Sequence, residues 1–288
     1  MHDQAAQLRE RLQRTVPSRP TRLITVTSGK GGVGKSNFTL NFALGLMERG
    51  QKVVIFDVDL GLANLDVLMG ISPRKHLFHL LEPNQTVWDI LEKGPNGLEF
   101  IAGGSGFTQL LQLDEEKLDF LFDQLGSLQG YADTVFFDTG AGISNESLRF
   151  MLAADEVLVV TTPEPTSITD AYAVIKMIHS RNPQTRIRLV INRAGSDQEG
   201  KYTADKLITV AQRFLGMEIG VLGYVPDDPA VSKAVKQQNP FLISFPHAQA
   251  SKGIRQLVDA YLGNAQREKP QEAGGLLGFL SKMKKMIR

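Results

Sequence analysis

The chain has 288 residues, which suits one large α/β domain or two small ones, and its formal net charge is +1. Hydrophobic residues make up 42% and charged residues 22%, the balance of a globular protein with a core, and the near-neutral charge disfavours nucleic acid as a partner. There is no cysteine, which excludes disulfides, thiolate metal sites and iron–sulfur clusters.

Residues 1–20 are the first predicted unit. In "DQAAQLRERLQR", Ala5, Leu8 and Leu12 fall on one stripe of a helix, and "VPSRP" then ends the helix. So short a helix is not stable alone, so the stripe predicts a segment that becomes ordered on a partner, and a frayed tail is the alternative. No apolar signal core is present and no run is long enough to span a membrane, which predicts a cytoplasmic protein.

Residues 21–263 are the second predicted unit, in which short apolar runs alternate with segments of helical period. Near-continuous apolar runs indicate strands buried on both faces, so we predict a three-layer α/β domain with a doubly wound, mostly parallel sheet. The predicted strands are Leu23 to Thr27, Lys52 to Asp57, Thr134 to Asp138, Glu156 to Thr161, Ile187 to Ile191 and Ile219 to Val225. The predicted helices are Lys35 to Glu48, Ile168 to His179, Lys201 to Phe214 and Ser251 to Leu262.

The stretch "GKGGVGKS" lies between the first predicted strand and a helix, the context in which G-x-x-x-x-G-K-[ST] binds phosphate and indicates P-loop NTPase topology. Lys35 would reach the β and γ oxygens and Ser36 would bind Mg²⁺, while an ordinary glycine-rich turn is the alternative. Lys30 is one lysine more than this chemistry needs. The predicted nucleotide contacts are Gly29, Gly31, Gly32, Val33, Gly34, Lys35, Ser36 and Asn37.

Three carboxylates follow two of the predicted strands, in "VVIFDVDLGLANLD" and "TVFFDTGAGI". Because ligands of open α/β sheets bind at the carboxyl ends of the strands, we predict that Ser36, Asp57 and Asp138 form a metal site. Asp59 is predicted to orient or deprotonate the attacking water. The alternatives are turn residues for Asp57 and Asp59 and a helix cap for Asp138.

The base contacts are predicted from "VINRAG". GTPases commonly read guanine through the aspartate of an Asn-Lys-x-Asp turn, but Gly195 stands where that aspartate would be. Asn192 and Arg193 are therefore predicted to contact adenine rather than guanine.

The C-terminus supplies two more predicted units. Residues 264–275, "NAQREKPQEAGG", are polar and predict a flexible linker. Residues 276–288 predict a basic amphipathic helix that binds an anionic membrane surface, and packing on its own domain or on a partner is the alternative. The predicted apolar face is Leu276, Leu280, Met283 and Ile287, flanked by Leu277 and Phe279, and the basic residues are Lys282, Lys284, Lys285 and Arg288.

These motifs resemble the deviant-Walker-A ATPases of the MinD/ParA class. "KGGVGKS", "DVDLGLANLD" and "DTGAGI" stand in that family's order, and "TTPEPTSITDAYAVIK" and "GYVPDDPAVSKAV" look like its later blocks. The resemblance implies ATP or ADP with Mg²⁺ as ligands, contacts from Pro226 and Asp227 to the base, and a homodimer formed with ATP. It also implies that Lys30 reaches the phosphates of the other subunit, in the manner of an arginine finger.

Within this class, the lack of cysteine excludes nitrogenase reductase and the iron–sulfur assembly ATPases, and the neutral charge disfavours DNA-partition proteins. The element formed by Asp3, Gln4, Ala5, Leu8 and Arg9 resembles the D-Q-A-x-x-L-R element of FlhG proteins. That resemblance implies a weak ATPase that regulates flagellar number and placement, stimulates the GTPase FlhF, contacts flagellar switch (C-ring) proteins, and visits the cytoplasmic membrane as a dimer. A MinD-like division-site ATPase, a metabolic P-loop enzyme and a non-hydrolysing scaffold are the alternatives.

Overall fold

A computed structural model describes residues 21–59, 64–103, 114–267 and 275–287. The predicted partner-binding residues of the N-terminal segment lie outside this part of the chain. So do residues 268–274, most of the predicted linker.

Within the described residues, eight strands form one sheet in the order β3-β4-β2-β5-β1-β6-β7-β8. All neighbouring pairs are parallel except β3 with β4. The mostly parallel, doubly wound sheet predicted from the sequence is therefore confirmed. The strands are β1 (Arg22–Ser28), β2 (Val53–Val58), β3 (Glu92–Lys93), β4 (Glu99–Ile101), β5 (Thr134–Ala141), β6 (Glu156–Thr161), β7 (Ile187–Ala194) and β8 (Gly220–Pro226).

Helices cover both faces of the sheet, which explains why the central strands are apolar throughout. One apolar core lies between the sheet and α1 with α9, and two further cores lie on the opposite face, against α3 with α10 and against α5 with α6. The helices are α1 (Lys35–Glu48), α2 (Leu65–Met69), α3 (Glu115–Gly126), α4 (Asn145–Ala153), α5 (Pro165–Arg181), α6 (Asp197–Leu215), α7 (Pro229–Lys236), α8 (Phe241–Ser244), α9 (Gln249–Arg267) and α10 (Gly275–Ile287).

Helix α9 holds the phosphate-loop helix α1 in place. Arg49 and Asp259 pair at 2.8 Å, Arg255 and Glu48 pair at 2.7 Å, and Gly45 leaves room for the apolar side chains of α9 between these two pairs. Helix α9 continues to Arg267, beyond the predicted end of the domain at residue 263. No helix in the described ranges is both long and apolar enough to cross a bilayer.

Candidate functional site

The phosphate loop connects β1 to α1 and is shaped by two close approaches of its glycines. A Cβ on Gly29 would lie 2.2 Å from the backbone carbon of Asp170 on α5. Gly34 caps α1 with φ 88°, and a Cβ there would lie 2.4 Å from the Asn192 amide nitrogen. Neither position has room for a side chain, which is why the loop needs glycine there.

Lys35 extends beneath this loop toward the carboxyl ends of β2 and β5. Its Nζ lies 3.0 Å from Asp138 Oδ1 and 3.1 Å from Ser36 Oγ, and the side chain is almost fully buried. Asp57 lies beside Asp138 in the register of β2 and β5. The structure therefore brings together the four residues that the sequence predicts for phosphate and metal binding.

The oxygen-rich composition of this cluster fits a hard divalent cation. Ser36, Asp57 and Asp138 offer one hydroxyl and two carboxylates, the ligand types that Mg²⁺ prefers. Burial and the neighbouring Asp138 carboxylate raise the pKa of Asp57 to about 7. A cation at this place would relieve the repulsion between the two carboxylates, so the residues present suit Mg²⁺.

Asp57 also holds the start of the following loop. Its Oδ1 accepts a hydrogen bond of 3.2 Å from the Asp59 backbone N–H, and its Oδ2 accepts one of 3.5 Å from that of Leu65. The Asp59 carboxylate lies against Gly140, where a Cβ would be 3.2 Å from Asp59 Oδ1. Asp59 is thus at the mouth of the cluster, on the loop where the sequence predicts a water-orienting residue.

Lys30 points away from the cluster and towards the start of α5. Its Nζ lies 3.0 Å from Glu164 Oε2 and donates a hydrogen bond of 3.1 Å to Thr166 Oγ1. The ammonium group lowers the pKa of Glu164, and the Lys30 side chain remains 40% exposed. The two lysines of the loop therefore occupy different surroundings, one beneath the loop and one at its rim.

A cavity of about 370 Å³ adjoins the loop on the side of β7 and β8. The Asn192 amide donates a hydrogen bond of 2.7 Å to the Val33 carbonyl, and Arg193 adopts φ 57°. Arg193 Nε lies 3.7 Å from Asp227 Oδ1. The lining includes the predicted base contacts Asn192, Arg193, Pro226 and Asp227, together with the predicted nucleotide contacts Gly32, Gly34 and Asn37.

A family model described as the CobQ/CobB/MinD/ParA nucleotide binding domain matches residues 24–241. The chain belongs to the MinD/ParA family. The antiactivator FleN of Pseudomonas aeruginosa is 40% identical over 245 residues, which cover 84% of this chain and 88% of FleN. The flagellum site-determining protein YlxH of Helicobacter pylori is 36% identical over 272 residues, which cover 93% of this chain and 91% of YlxH.

The cell division ATPase MinD of Pyrococcus furiosus has the same fold. Its crystal structure matches with a TM-score of 0.68 and 27% identity, and the match covers 84% of this chain and 99% of that one. Together these relatives identify the chain as an FlhG-type member of the MinD/ParA family. It is an ATPase of the kind that serves flagellar or division-site placement.

The C-terminal helix of this MinD/ParA-type ATPase is docked on its own domain. Phe279 stacks on Phe137 of β5 with ring centroids 4.4 Å apart and planes at 7°, and it also contacts Phe150 of α4. The Gln129 side chain accepts a hydrogen bond of 2.6 Å from the Leu276 backbone N–H. The groove, formed by α3, α4 and β5, buries Leu276, Phe279, Leu280 and Met283.

This arrangement differs from the helical face predicted from the sequence. Phe279 is at the centre of the buried face rather than at its flank, Ile287 lies at the margin of the core, and Leu277 is 58% exposed. The sequence identified an apolar face but gave no sign of a groove assembled from three distant segments. In the described state the helix packs on its own domain, which was the alternative to the membrane.

Sequence reasoning missed three residues of the nucleotide end. Glu164 and Thr166 hold Lys30, and Thr39 donates a hydrogen bond of 2.9 Å to Asp138 Oδ1. Glu164 and Thr166 belong to the block "TTPEPTS", for which the sequence suggested no individual roles. Thr39 is four residues after Lys35 on the buried side of α1, and this spacing is the signal that could have identified it.

Proposed function

We propose that this ATPase is a nucleotide-driven dimer switch that regulates flagellar number and placement. Two subunits close face to face on ATP, and Lys30 of each reaches the phosphates of the other. Closure promotes membrane binding through α10, and hydrolysis reverses it.

The position of Lys30 supports this proposal most directly. The phosphate loop already has Lys35 as its buried cation, whereas Lys30 is half-exposed at the rim and held by Glu164 and Thr166. The Lys30–Glu164 ion pair is exposed, and such pairs contribute little to stability. It can therefore be exchanged at small cost for contacts with the phosphates of a second subunit.

The remaining residues divide the work of hydrolysis. Lys35 exchanges Asp138 for the β and γ oxygens, and the loop N–H groups hold the phosphates. Ser36 and Asp138, with Asp57 beside them, would hold Mg²⁺, which neutralises charge on the transferred phosphoryl group when bound. Asp59 orients the attacking water, and the cavity beside Asn192 receives adenine.

Light scattering with ADP and with a non-hydrolysable ATP analogue tests the dimer. We expect wild type to be monomeric with ADP and dimeric with the analogue, and Lys30→Ala to stay monomeric with both. Because a cation supplied in trans is worth about a thousandfold in rate, Lys30→Ala should lose about that factor in dimer-dependent hydrolysis. Lys252→Ala, at an exposed position on α9, is the matched control.

The Asp59→Ala variant separates hydrolysis from assembly. It should form the dimer with ATP itself and remain dimeric, because the water is no longer oriented. A wild type that stays monomeric under every condition would refute the switch. An Asp59→Ala variant that cycles like wild type would favour a scaffold that does not depend on hydrolysis.

The docked helix supports a proposal in which the apolar face of α10 binds either the groove of its own domain or a membrane surface, but not both at once. Full burial of a large apolar side chain is worth about 1.5–3 kcal/mol, so the four residues in the groove gain about 6–12 kcal/mol before the cost of ordering the helix. In the groove, Lys284 pairs with Asp119. At an anionic surface each basic residue gains about 1 kcal/mol, and the apolar face is buried in lipid as well.

Because the same apolar face is buried in both states, the two burial free energies largely offset each other and a modest bias can switch between the states. A dimer presents two helices, and avidity raises binding by about a hundredfold or more. Dimer formation therefore favours the membrane-bound state without any new contact in the groove.

A reversible crosslink tests this competition, because the chain has no native cysteine. The Gly126→Cys/Leu277→Cys variant should close a disulfide between α3 and α10, since a Cβ on Gly126 would lie 3.0 Å from Leu277 Cδ2. With the ATP analogue and phosphatidylglycerol vesicles, the oxidised form should stay in the supernatant and the reduced form should sediment. The two single-cysteine variants are the controls, and sedimentation of the oxidised form would contradict the proposal.

The flagellar branch of the proposal rests on FleN and YlxH, the two flagellar relatives described above. The D-Q-A-x-x-L-R element then implies that Asp3, Gln4, Ala5, Leu8 and Arg9 stimulate FlhF, and contacts with C-ring proteins follow from the same resemblance.

A GTPase assay tests this implication. The full chain should accelerate GTP hydrolysis by FlhF, the Asp3→Ala/Gln4→Ala variant should not, and Gln13→Ala should match wild type. If wild type has no effect on FlhF but binds a division inhibitor, division-site placement is the correct function instead.

A further inference from the structure

The hydroxyl of Thr39 lies within the carboxylate cluster, three residues beyond the end of the "GKGGVGKS" stretch. Thr39 is on the first turns of α1 and is fully buried. Its Oγ1 lies 2.9 Å from Asp138 Oδ1 and 3.0 Å from the Lys35 carbonyl oxygen. The hydroxyl thus touches both the predicted metal ligand and the turn that carries the phosphate-binding lysine.

A hydroxyl has one proton, so Thr39 can donate to only one of these two oxygens at a time. The Lys35 carbonyl is in helical position to accept the backbone N–H of Thr39 itself. When it is ionised, the Asp138 carboxylate is the better acceptor, because hydrogen bonds to charged acceptors are roughly twice as strong as those to neutral ones such as the Lys35 carbonyl. The Thr39 hydroxyl therefore donates its hydrogen bond to Asp138 rather than to the Lys35 carbonyl.

Lys35 and Thr39 share one oxygen of this carboxylate. Lys35 Nζ lies 3.0 Å from Asp138 Oδ1, the atom that Thr39 also contacts. Lys35 has four side-chain carbons and can turn towards a phosphate. The Thr39 hydroxyl is attached at Cβ of a buried helical residue, whose rotamer is restricted, so it cannot follow.

We propose that Thr39 is a positioning residue for the metal site: it holds Asp138 through Oδ1 when Lys35 moves to the phosphates. The carboxylate then keeps its orientation, and its second oxygen stays available to the metal site. The inference rests on the proposed function, because it assumes that Asp138 serves Mg²⁺ there.

Partners that orient a ligand in this way typically change metal affinity by about 10–100-fold when removed. Thr39→Val replaces the hydroxyl with a methyl group of similar size, and Thr39→Ser keeps the hydroxyl. Thr39→Cys, a weak donor of nearly the same shape, is a second deletion variant in case valine is not tolerated. Thr25→Val is the matched control, because Thr25 is equally buried and donates to the Phe150 carbonyl, on the opposite face of the sheet.

Titration of the full chain with a fluorescent ADP analogue, in EDTA and in Mg²⁺, measures the contribution of the metal directly. We expect Mg²⁺ to tighten ADP binding by wild type, by Thr39→Ser and by Thr25→Val to a similar extent. In Thr39→Val, the factor by which Mg²⁺ tightens ADP binding should fall about tenfold, and in Thr39→Cys this factor should fall less. The affinity of Thr39→Val and Thr39→Cys for ADP in EDTA should stay within about twofold of wild type. At saturating ADP, the Mg²⁺ concentration for half-maximal effect should rise by a similar factor.

Each other outcome overturns the inference in a recognisable way. An unchanged Mg²⁺ gain in Thr39→Val and Thr39→Cys means that Asp138 does not need the hydroxyl. An equal loss with and without Mg²⁺ means that Thr39 only supports the loop. If wild type gains nothing from Mg²⁺ but still binds ADP, the metal site of the proposed function fails, and the inference fails with it.

Discussion

The sequence predicts a functional role for both the phosphate-loop end of the molecule and the C-terminal helix, but the structure agrees with the two predictions to different extents. At the loop, Lys35, Asp57 and Asp138 come together as their positions at strand ends predict. At the C-terminus, α10 does have an apolar face, but that face is buried in a groove of the protein's own domain.

The difference reflects what each pattern specifies. A phosphate loop between a strand and a helix is a local geometry, and its ligand chemistry follows from backbone N–H groups and one lysine. An amphipathic helix specifies only that one face avoids water. Lipid, a partner and the protein's own core all satisfy that requirement, so the pattern alone cannot choose among them.

The largest expected effect is at the loop. Lys35→Met removes the buried cation, so ATP hydrolysis should fall by about a hundred- to a thousandfold, the loss typical of a group that stabilises transition-state charge. Hydrogen exchange at the backbone amide of Leu280 should stay unchanged if the two ends are independent. Lys252→Met is the matched control, and faster exchange in α10 of Lys35→Met alone would show that the two ends are coupled.

The next effect concerns the docked helix. Truncating a buried phenylalanine costs about 3–5 kcal/mol of packing free energy. A terminal helix that loses this packing can undock while the rest of the domain stays folded. Phe279→Ala should therefore raise hydrogen exchange in α10 by about a hundred- to a thousandfold while the sheet stays protected. Leu277→Ala, at an exposed position, should change exchange by less than twofold, and equal effects of the two variants would contradict the assignment of faces.

A smaller effect links the carboxylate cluster to pH. The pKa of Asp57 is about 7 in the folded chain, against about 3.9 when unfolded, so the folded state holds a proton that the unfolded state releases. Wild-type stability in EDTA should therefore fall as the pH rises from about 4 to 7, and the loss should be complete above pH 7.

Asp57→Asn stays neutral at every pH. It should be more stable than wild type by about 2–4 kcal/mol at pH 8, and the difference should vanish near pH 4. Urea unfolding without nucleotide measures this, with Asp123→Asn, at an exposed position on α3, as the control. A difference independent of pH would rule out the raised pKa.

The smallest effect distinguishes the groove from the proposed membrane surface as the site that binds α10. Lys284 pairs with Asp119 in the groove, but both side chains are partly exposed, so Lys284→Ala should weaken docking by less than about 1 kcal/mol. The same change should weaken binding to anionic vesicles by about 1 kcal/mol per helix. Hydrogen exchange and vesicle sedimentation should thus respond unequally, more so in the dimer.

The sequence was most informative where structure is local. Helix α1 begins and ends at the residues that the pattern predicts, because Gly34 starts it and polar residues follow Glu48. Strands β3 and β4 were missed, because runs of two and three residues carry no periodicity.

Contacts over long distances in the sequence explain the other omissions. Glu164 and Lys30 are 134 positions apart, and Gln129 meets the start of α10 across 147 positions. Nothing in either segment alone indicates its partner. Thr39 is different, since its helical spacing from Lys35 was visible but its carboxylate partner lies 99 positions away.

Phe137 and Asp138 are consecutive residues of β5, so their side chains leave the strand on opposite faces. The Phe137 ring, which stacks on Phe279, and the Asp138 carboxylate, which pairs with Lys35, therefore lie on opposite faces of the sheet and are separated only by the backbone of β5. Hydrogen exchange in α10 of the Lys35→Met variant therefore measures whether a change on one face of β5 is felt on the other.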